Sequence, residues 1–399
     1  MAREARRIRA ARQHSIGNYE VLRKLAVGGM GEVFLARQKG PVDFSRQVVL
    51  KKLHARFTRD PQFVTMFLNE ARIVASLTHP NIIHVYEFFE DGDGYVIAME
   101  YVRGGTVLSL LRARAMAGSP GLPYGPMVRI VTSVCEALHY AYSEPDADGA
   151  VRHIVHRDIS PSNVLVGYDG QVKLADFGVA KALAEAPATK STTIKGKYGY
   201  LTPEQIRCEQ LDQRSDIFSL GTVLWEMSVG KRLFERESEM QMLYAILEEP
   251  IPMPSSQVSG YPRELERVVM KALARSRDER YADAGAFAAD LRAIAYDSHW
   301  DCEKPALAQL VKALLPEDQI AYGQIGSDAF GLPRPLSSDN ESRGRINSFA
   351  SMEVIDSELD GPEPPQREGW LTRGNLVTIV ILLAASAAFW LWIVPWIDP

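Results

Sequence analysis

The stretch IVHRDISPSNVLV (residues 154–166) decides how this chain is read. A histidine, an arginine and an acid stand together as His156-Arg157-Asp158, and an amide, Asn163, follows five residues after the acid. Ser160 lies between them, two positions after Asp158. This is the order of residues that a phosphoryl-transfer loop needs, so the flanking sequence must supply the rest of such a site.

Working outward, VKLADFGVAK (residues 172–181) holds Asp176-Phe177-Gly178, and Thr202-Pro203-Glu204 comes later. Upstream, LAVGGMGEV (residues 25–33) lies between two strand-like runs. A glycine-rich turn lets backbone N–H groups approach phosphate oxygens with no side chain in the way, although many plain hairpins also carry glycines. Beyond it, VVLKKL sets Lys51 on a strand, and Glu70 lies nineteen residues on in a helical pattern. A lysine that grips phosphates needs its ammonium aimed, and an ion pair with a helix-borne glutamate does this. Taken singly, each of these two residues reads as ordinary exposed surface. Five elements in this order and spacing are hard to obtain by chance.

On these motifs the sequence resembles the eukaryotic-like protein kinase family, specifically the membrane-anchored bacterial serine/threonine kinases, over residues 18–296. The resemblance implies an α+β, bilobal protein kinase fold with a small β-rich lobe and a larger α-rich one. It implies that Asp158 accepts the proton of a substrate hydroxyl, and that Asn163 and Asp176 hold two Mg²⁺ ions. ATP would lie under Ala26, Val27, Gly28, Gly29, Met30, Gly31 and Val33, with Lys51, aimed by Glu70, on its phosphates. Met99 would stand behind the adenine, and the backbones of Glu100 and Val102 would bind its edge. His156 and Phe177 pack and position the acids, and Glu204 pairs with Arg280. Asp216 and Gly221 also match, while Phe218 stands where many kinases carry Trp or Tyr. Arg157 needs an anion, which in the family a phosphorylated activation-loop residue supplies. Thr189, Ser191, Thr192 and Thr193 are the candidates.

Besides Phe218, the sequence departs from the family pattern at three positions. Ala26 replaces the first glycine, Ser160 stands where serine/threonine kinases carry lysine, and Lys197 stands where they carry threonine. Two readings are open. In one, Lys197 and Ser160 have exchanged roles around Asp158. In the other, Lys197 points to solvent and Ser160 is a tolerated loss.

The implied activity is transfer of the γ-phosphoryl of ATP to Ser/Thr of protein substrates, and to the chain's own activation loop. The rival is a membrane-tethered pseudokinase scaffold. A scaffold has no need for Lys51, Glu70, Asp158, Asn163 and Asp176 together. Tyrosine specificity is a further rival, which SPSN (residues 160–163) does not fit.

The rest of the chain bounds this reading. It has 399 residues, 46% of them hydrophobic, enough for a sizeable core. A net charge of -5 gives no general case for nucleic-acid binding. Cys135, Cys208 and Cys302 lie far apart, which argues against a disulfide framework or a zinc site and fits a reducing compartment. Strand-like runs dominate residues 18–101, with one helical pattern, PQFVTMFLNEARIVASL, among them; helical patterns dominate 105–296. Residues 297–322 form a helical extension that places Leu307, Leu310, Val311, Leu314 and Leu315 on one face, to pack on the large lobe or on a partner. Residues 323–369 read as a disordered linker, with Ser337, Ser348 and Ser351 as further hydroxyls.

Both ends carry signals of their own. Residues 1–17 open with five arginines and one glutamate in the first fourteen, and no apolar run follows, which excludes a secretory signal. They read as a disordered basic arm or as a weak contact for anionic lipid. Residues 376–394, LVTIVILLAASAAFWLWIV, run uncharged for nineteen positions. At 1.5 Å per residue that is roughly 28 Å of helix, close to the roughly 30 Å hydrocarbon core. Trp370 lies on one side and Trp390, Trp392 and Trp396 on the other, at the two interfaces, with Arg367 and Arg373 before the span. The expectation is a single C-terminal transmembrane anchor, the kinase domain in the cytoplasm and a short tail, 395–399, beyond the membrane. Signals would then arrive from the cytoplasm or through association in the membrane. Ala384 and Ala388 offer a small-residue face for a homodimer, with packing against lipid alone as the other reading.

Overall fold

The computed structural model describes residues 15–28, 31–41, 45–92, 94–119, 121–145, 149–178 and 195–316, the side chains of residues 195–197 excepted. Gly29, Met30, the four activation-loop hydroxyls, the linker and residues 376–394 lie outside the described residues. Within them, no helix is long and apolar enough to cross a membrane.

The chain begins with β1 (Ser15–Ile16), β2 (Tyr19–Val27), β3 (Gly31–Lys39) and β4 (Ser45–Leu53), then α1 (Pro61–Ala75), β5 (Val85–Asp91) and β6 (Gly94–Glu100). The strands form one antiparallel sheet in the order β1-β2-β3-β4-β6-β5. The sheet curls strongly, because residues near its two ends meet. Tyr19 of β2 stacks on Phe89 of β5 at 5.8 Å, and the Gly17 N–H donates to Asp91 Oδ1 at 3.0 Å.

The two-residue period of the strands decides where Lys51 goes. Val48 and Leu50 point into one apolar cluster with Phe34, Ala36, Val96 and Ala98. Lys51 and Leu53 therefore share the other face, where Leu53 and Ile97 pack on Phe67 and Ala71 of α1. Helix α1 starts at Asp60, whose side chain accepts from the Gln62 N–H, with Pro61 in its first turn. It buries Met66, Phe67, Glu70, Ala71 and Val74, a stripe at helical spacing. Glu70 is thus a charged residue on the buried stripe, facing the strand face that carries Lys51.

The larger lobe follows: β7 (Gly104–Thr106), α2 (Val107–Met116), α3 (Tyr124–Ser143), β8 (Val164–Gly167) and β9 (Val172–Leu174). After the activation segment come α4 (Gln213–Val229), α5 (Glu239–Leu247), α6 (Arg263–Ala272), α7 (Ala284–Asp297) and α8 (Lys304–Leu314). Helix α4 is its axis: every residue from Ser215 to Val229 is buried, the carboxylates Asp216 and Glu226 among them. It is capped by Asp212 and ended by Gly230 at φ 78°, the left-handed position that glycine occupies without penalty. Strands β7, β8 and β9 form a small antiparallel sheet on this lobe. It matters because β8 begins directly after Asn163 and β9 ends two residues before Asp176.

Candidate active site

Three charged groups meet between the lobes. Lys51 Nζ lies 2.7 Å from Glu70 Oε1 and 2.9 Å from Asp176 Oδ1. Burial works to lower the Lys51 pKa, yet the carboxylates of Asp176 and Glu70 hold it well above the ordinary lysine value. The lysine is therefore fixed as a cation, on a strand position that pairs with Val33 just after the glycine-rich turn.

That turn is closed by the Gly28 N–H donating to the Gly31 carbonyl at 2.7 Å, with Ala26 paired to Val33 across the hairpin. His54, beyond the strand that bears Lys51, places Nε2 3.0 Å from the Gly28 carbonyl. Ala26 is buried and Val27 exposed. The edge of the cleft is the end of β6, where Met99 packs against the core of the larger lobe and Val102 is buried.

The catalytic loop is tied from beneath. Asp216 of α4 accepts from the His156 N–H at 2.7 Å and the Arg157 N–H at 2.8 Å. Burial pushes the Asp216 carboxyl up to about 7, against the pull of those two donors. His156 is fully buried; its Nδ1 accepts from the Asp158 N–H at 3.2 Å, so its proton sits on Nε2, 3.1 Å from the Ala175 carbonyl. Its ring lies 4.5 Å from that of Phe177, and the Gly178 N–H donates to the His156 carbonyl at 2.7 Å. A Cβ on Gly178 would stand 2.8 Å from that of Asp158, so only glycine lets the two acidic segments come this close. Arg157 and Asp176 both adopt left-handed backbone, φ 67° and 57°. Strained backbone at non-glycine residues is held only where the surroundings fix it, and here two such residues flank the cleft.

Asn163 donates its amide nitrogen to the Asp158 carbonyl at 2.7 Å and to Asp158 Oδ2 at 3.1 Å. Its amide oxygen is left as a hard acceptor, approached by Ser162 Oγ at 3.4 Å. Asp176 is nearly half exposed at 46%, with one carboxylate oxygen on Lys51. Among the described residues no three His, Cys, Asp or Glu side chains gather into a cage. The donors present suit Mg²⁺, a cation that takes one or two protein oxygens and completes its shell with phosphate and water.

Ser160 is buried, and its Oγ lies 2.9 Å from Ser162 Oγ, which in turn lies 3.4 Å from Asn163 Oδ1. The Ser160 hydroxyl is thus bonded toward the amide through Ser162, a residue sequence reasoning did not single out. Lys197 falls in the 3₁₀ turn Lys195–Tyr200, and its side chain lies outside the described residues. Behind the turn, the Tyr200 hydroxyl donates to buried Glu226 at 2.6 Å. Burial pushes the Glu226 carboxyl up to about 7. Another missed contact is the pair between Lys173 of β9 and Glu100 at 2.8 Å, which ties the small sheet to the cleft edge. Arg280 and Glu204 meet as expected, at 2.8 and 3.0 Å, deep in the larger lobe.

A curled sheet and a helical lobe closing on a lysine, two acids and an amide define a bilobal protein kinase. The chain belongs to the protein kinase domain family, which it matches over residues 19–317. It is 41% identical over 275 residues to the tyrosine-protein kinase MasK of Myxococcus xanthus, covering 68% of this chain and 42% of that one. It is 34% identical over 345 residues to the serine/threonine-protein kinase PknB of Mycobacterium leprae, covering 85% and 51%. It is 37% identical over 277 residues to the serine/threonine-protein kinase PknL of Mycobacterium bovis, covering 69% and 65%. The chain therefore spans 42% to 65% of the length of these curated relatives. The solved kinase domain of Mycobacterium tuberculosis PknI superposes with a TM-score of 0.53 at 27% identity, covering 70% of this chain and 97% of that one.

Proposed function

We propose that this chain is a protein kinase that transfers the γ-phosphoryl of ATP to serine or threonine hydroxyls of proteins. The observation that carries the reading is Lys51 held at once by Glu70 and Asp176. A lysine so placed can meet phosphate oxygens without further rearrangement, which lowers the cost of reaching the transition state. Asp158, its Oδ2 braced by Asn163, orients the substrate hydroxyl and takes its proton. Asp176 and the Asn163 oxygen would hold two Mg²⁺ ions, which supply neutralisation of phosphate charge.

Phosphate incorporation into a general protein substrate, wild type beside Asp158→Asn, tests the reading; equal incorporation would sink it. A relative at 41% identity carries the name tyrosine-protein kinase, which favours tyrosine as a second acceptor. Phosphoamino-acid analysis of the same product separates the two, and phosphotyrosine alone would replace the first reading by the second.

Three further parts belong to this reading. Autophosphorylation at Thr189, Ser191, Thr192 or Thr193 would give Arg157 its anion, and mass spectrometry of wild type against Asp158→Asn checks it. Residues 376–394 would anchor the chain in a membrane with the kinase domain on the cytoplasmic side. Alkaline carbonate extraction that frees the full chain but retains an integral control would count against that. Lys197 would supply the ammonium that Ser160 lacks. Lys197→Thr should then lose far more activity alone than with Ser160→Lys, and additive losses would remove the exchange.

A further inference from the structure

The last part of the described chain takes no role in the chemistry above, yet it is packed firmly onto the larger lobe. Trp300 stacks on Tyr124 at 4.9 Å, and Arg129 Nη1 donates to the Cys302 carbonyl at 3.2 Å. Helix α8 fully buries Leu307 and Val311, and it packs against α2, α3 and β8. A Cβ on Gly125 would overlap the Asp301 carbonyl oxygen, and one on Gly170 the Lys304 carbonyl oxygen. A Cβ on Gly105 would come within 2.5 Å of both Leu315 Cδ1 and Ser109 Oγ. Glycines in β7, in α3 and in the turn between β8 and β9 thus leave space for the backbone and side chains of residues 301–315.

Gly105 lies in β7, the strand the chain enters on leaving Glu100 and Val102. Tyr168 joins this strand to the end of α8. Its hydroxyl donates to the Leu315 carbonyl at 2.7 Å, and its backbone N–H donates to the Arg103 carbonyl at 2.9 Å. Strand β7 is three residues long, two of them glycine, and it pairs with β8. Consecutive glycines carry high backbone entropy, so their order must be imposed from outside.

We propose that residues 300–315 form a strap that fixes the hinge of the nucleotide cleft, with Leu315 its anchor and Tyr168 the positioning residue that couples anchor to hinge. This rests on the reading of Glu100 and Val102 as the edge that binds adenine. The strap holds the Gly167–Tyr168 end of β8. The opposite end, at Asn163, follows a loop already fixed by the two amide bonds to Asp216. Loosening the strap should therefore weaken nucleotide binding while leaving the transfer step in place.

The test uses the full chain with Tyr168→Phe and Leu315→Ala. Tyr168→Phe removes one hydroxyl bond and keeps both the ring and the N–H on Arg103. Binding of a fluorescent ATP analogue is measured beside kcat, KM for ATP and the thermal midpoint. A hydrogen bond that contributes about 1 kcal/mol corresponds to about a fivefold rise in the dissociation constant and in KM for ATP for Tyr168→Phe. Leu315→Ala should exceed that, and kcat should stay within about twofold in both. Unchanged affinity in both folded variants would overturn the strap. So would kcat falling with the folded fraction while KM for ATP stays fixed, the behaviour of a purely structural contact. The analogue binds without being turned over, so a wild type that binds it but transfers no phosphate fails the kinase reading alone. The strap is then judged on binding.

Discussion

The Glu204–Arg280 pair and the Lys51–Glu70 pair both join separate segments of the chain, but they are built on opposite plans. Arg280 is saturated. Its Nη1 and Nη2 meet the two Glu204 oxygens at 2.8 and 3.0 Å. The same nitrogens and Nε also donate to the carbonyls of Arg214, Arg275 and Ala274. The guanidinium lies over Phe218 at 4.8 Å, and the two side chains are 0% and 2% exposed. Lys51 and Glu70 meet through a single bond, and the third partner, Asp176, is 46% exposed. The first pair is a closed brace, satisfied without any ligand. The second sits open to the cleft, where phosphate and cation would enter. Ion pairs in one fold can thus be sorted by how fully their donors are met.

Substitutions can break that contrast or sharpen it. The largest expected effect is on chemistry alone: Asp158→Asn should lower phosphate transfer by about a thousandfold, as loss of a general base does, with little change in thermal midpoint. Next, Arg280→Met should leave buried Glu204 unpaired and cost about 3–5 kcal/mol of stability, read by denaturant unfolding. A third substitution, Glu70→Gln, removes the charge that aims Lys51 and keeps the side-chain shape. It should raise the ATP dissociation constant by about tenfold, near 1.4 kcal/mol, while unfolding stability changes by less than about 1 kcal/mol. If Glu70→Gln unfolds the protein as Arg280→Met does, the two pairs are not different in kind.

The smallest effect is on pH dependence. Burial works to raise the Glu204 pKa, but the bonds and charge of Arg280 hold it below the ordinary carboxylate value. The unfolded chain therefore binds more protons at this site in mildly acid solution. The contribution is full above the unfolded pKa near 4.5 and fades as pH falls through the lower folded value. Between about pH 6 and pH 3 wild type should lose more stability than Glu204→Gln, compared by thermal midpoints.

Much of the front of the molecule was legible from residue order, because the cleft chemistry ties particular residue types to particular spacings. Lys51 follows the glycine turn, Glu70 sits on the helix stripe facing it, and Asp158, Asn163 and Asp176 flank one small sheet. The curl of the sheet was not legible, since Tyr19 and Phe89 are seventy residues apart and each reads as an ordinary strand aromatic. Ser162 gave no signal in a loop already rich in polar residues. The Lys173–Glu100 pair joins residues that each look like a solvated strand position. The apolar stripe of α8 was visible, but where it docks depends on Gly105, Gly125 and Gly170, and the absence of a side chain carries no direction in sequence.

The most direct test of the kinase reading is transfer of labelled γ-phosphate from ATP, wild type beside Asp158→Asn, followed by acid hydrolysis and separation of the phosphoamino acids. Label on phosphoserine or phosphothreonine from wild type, and about a thousandfold less from the variant, is the predicted result. Equal label from the two proteins would contradict it.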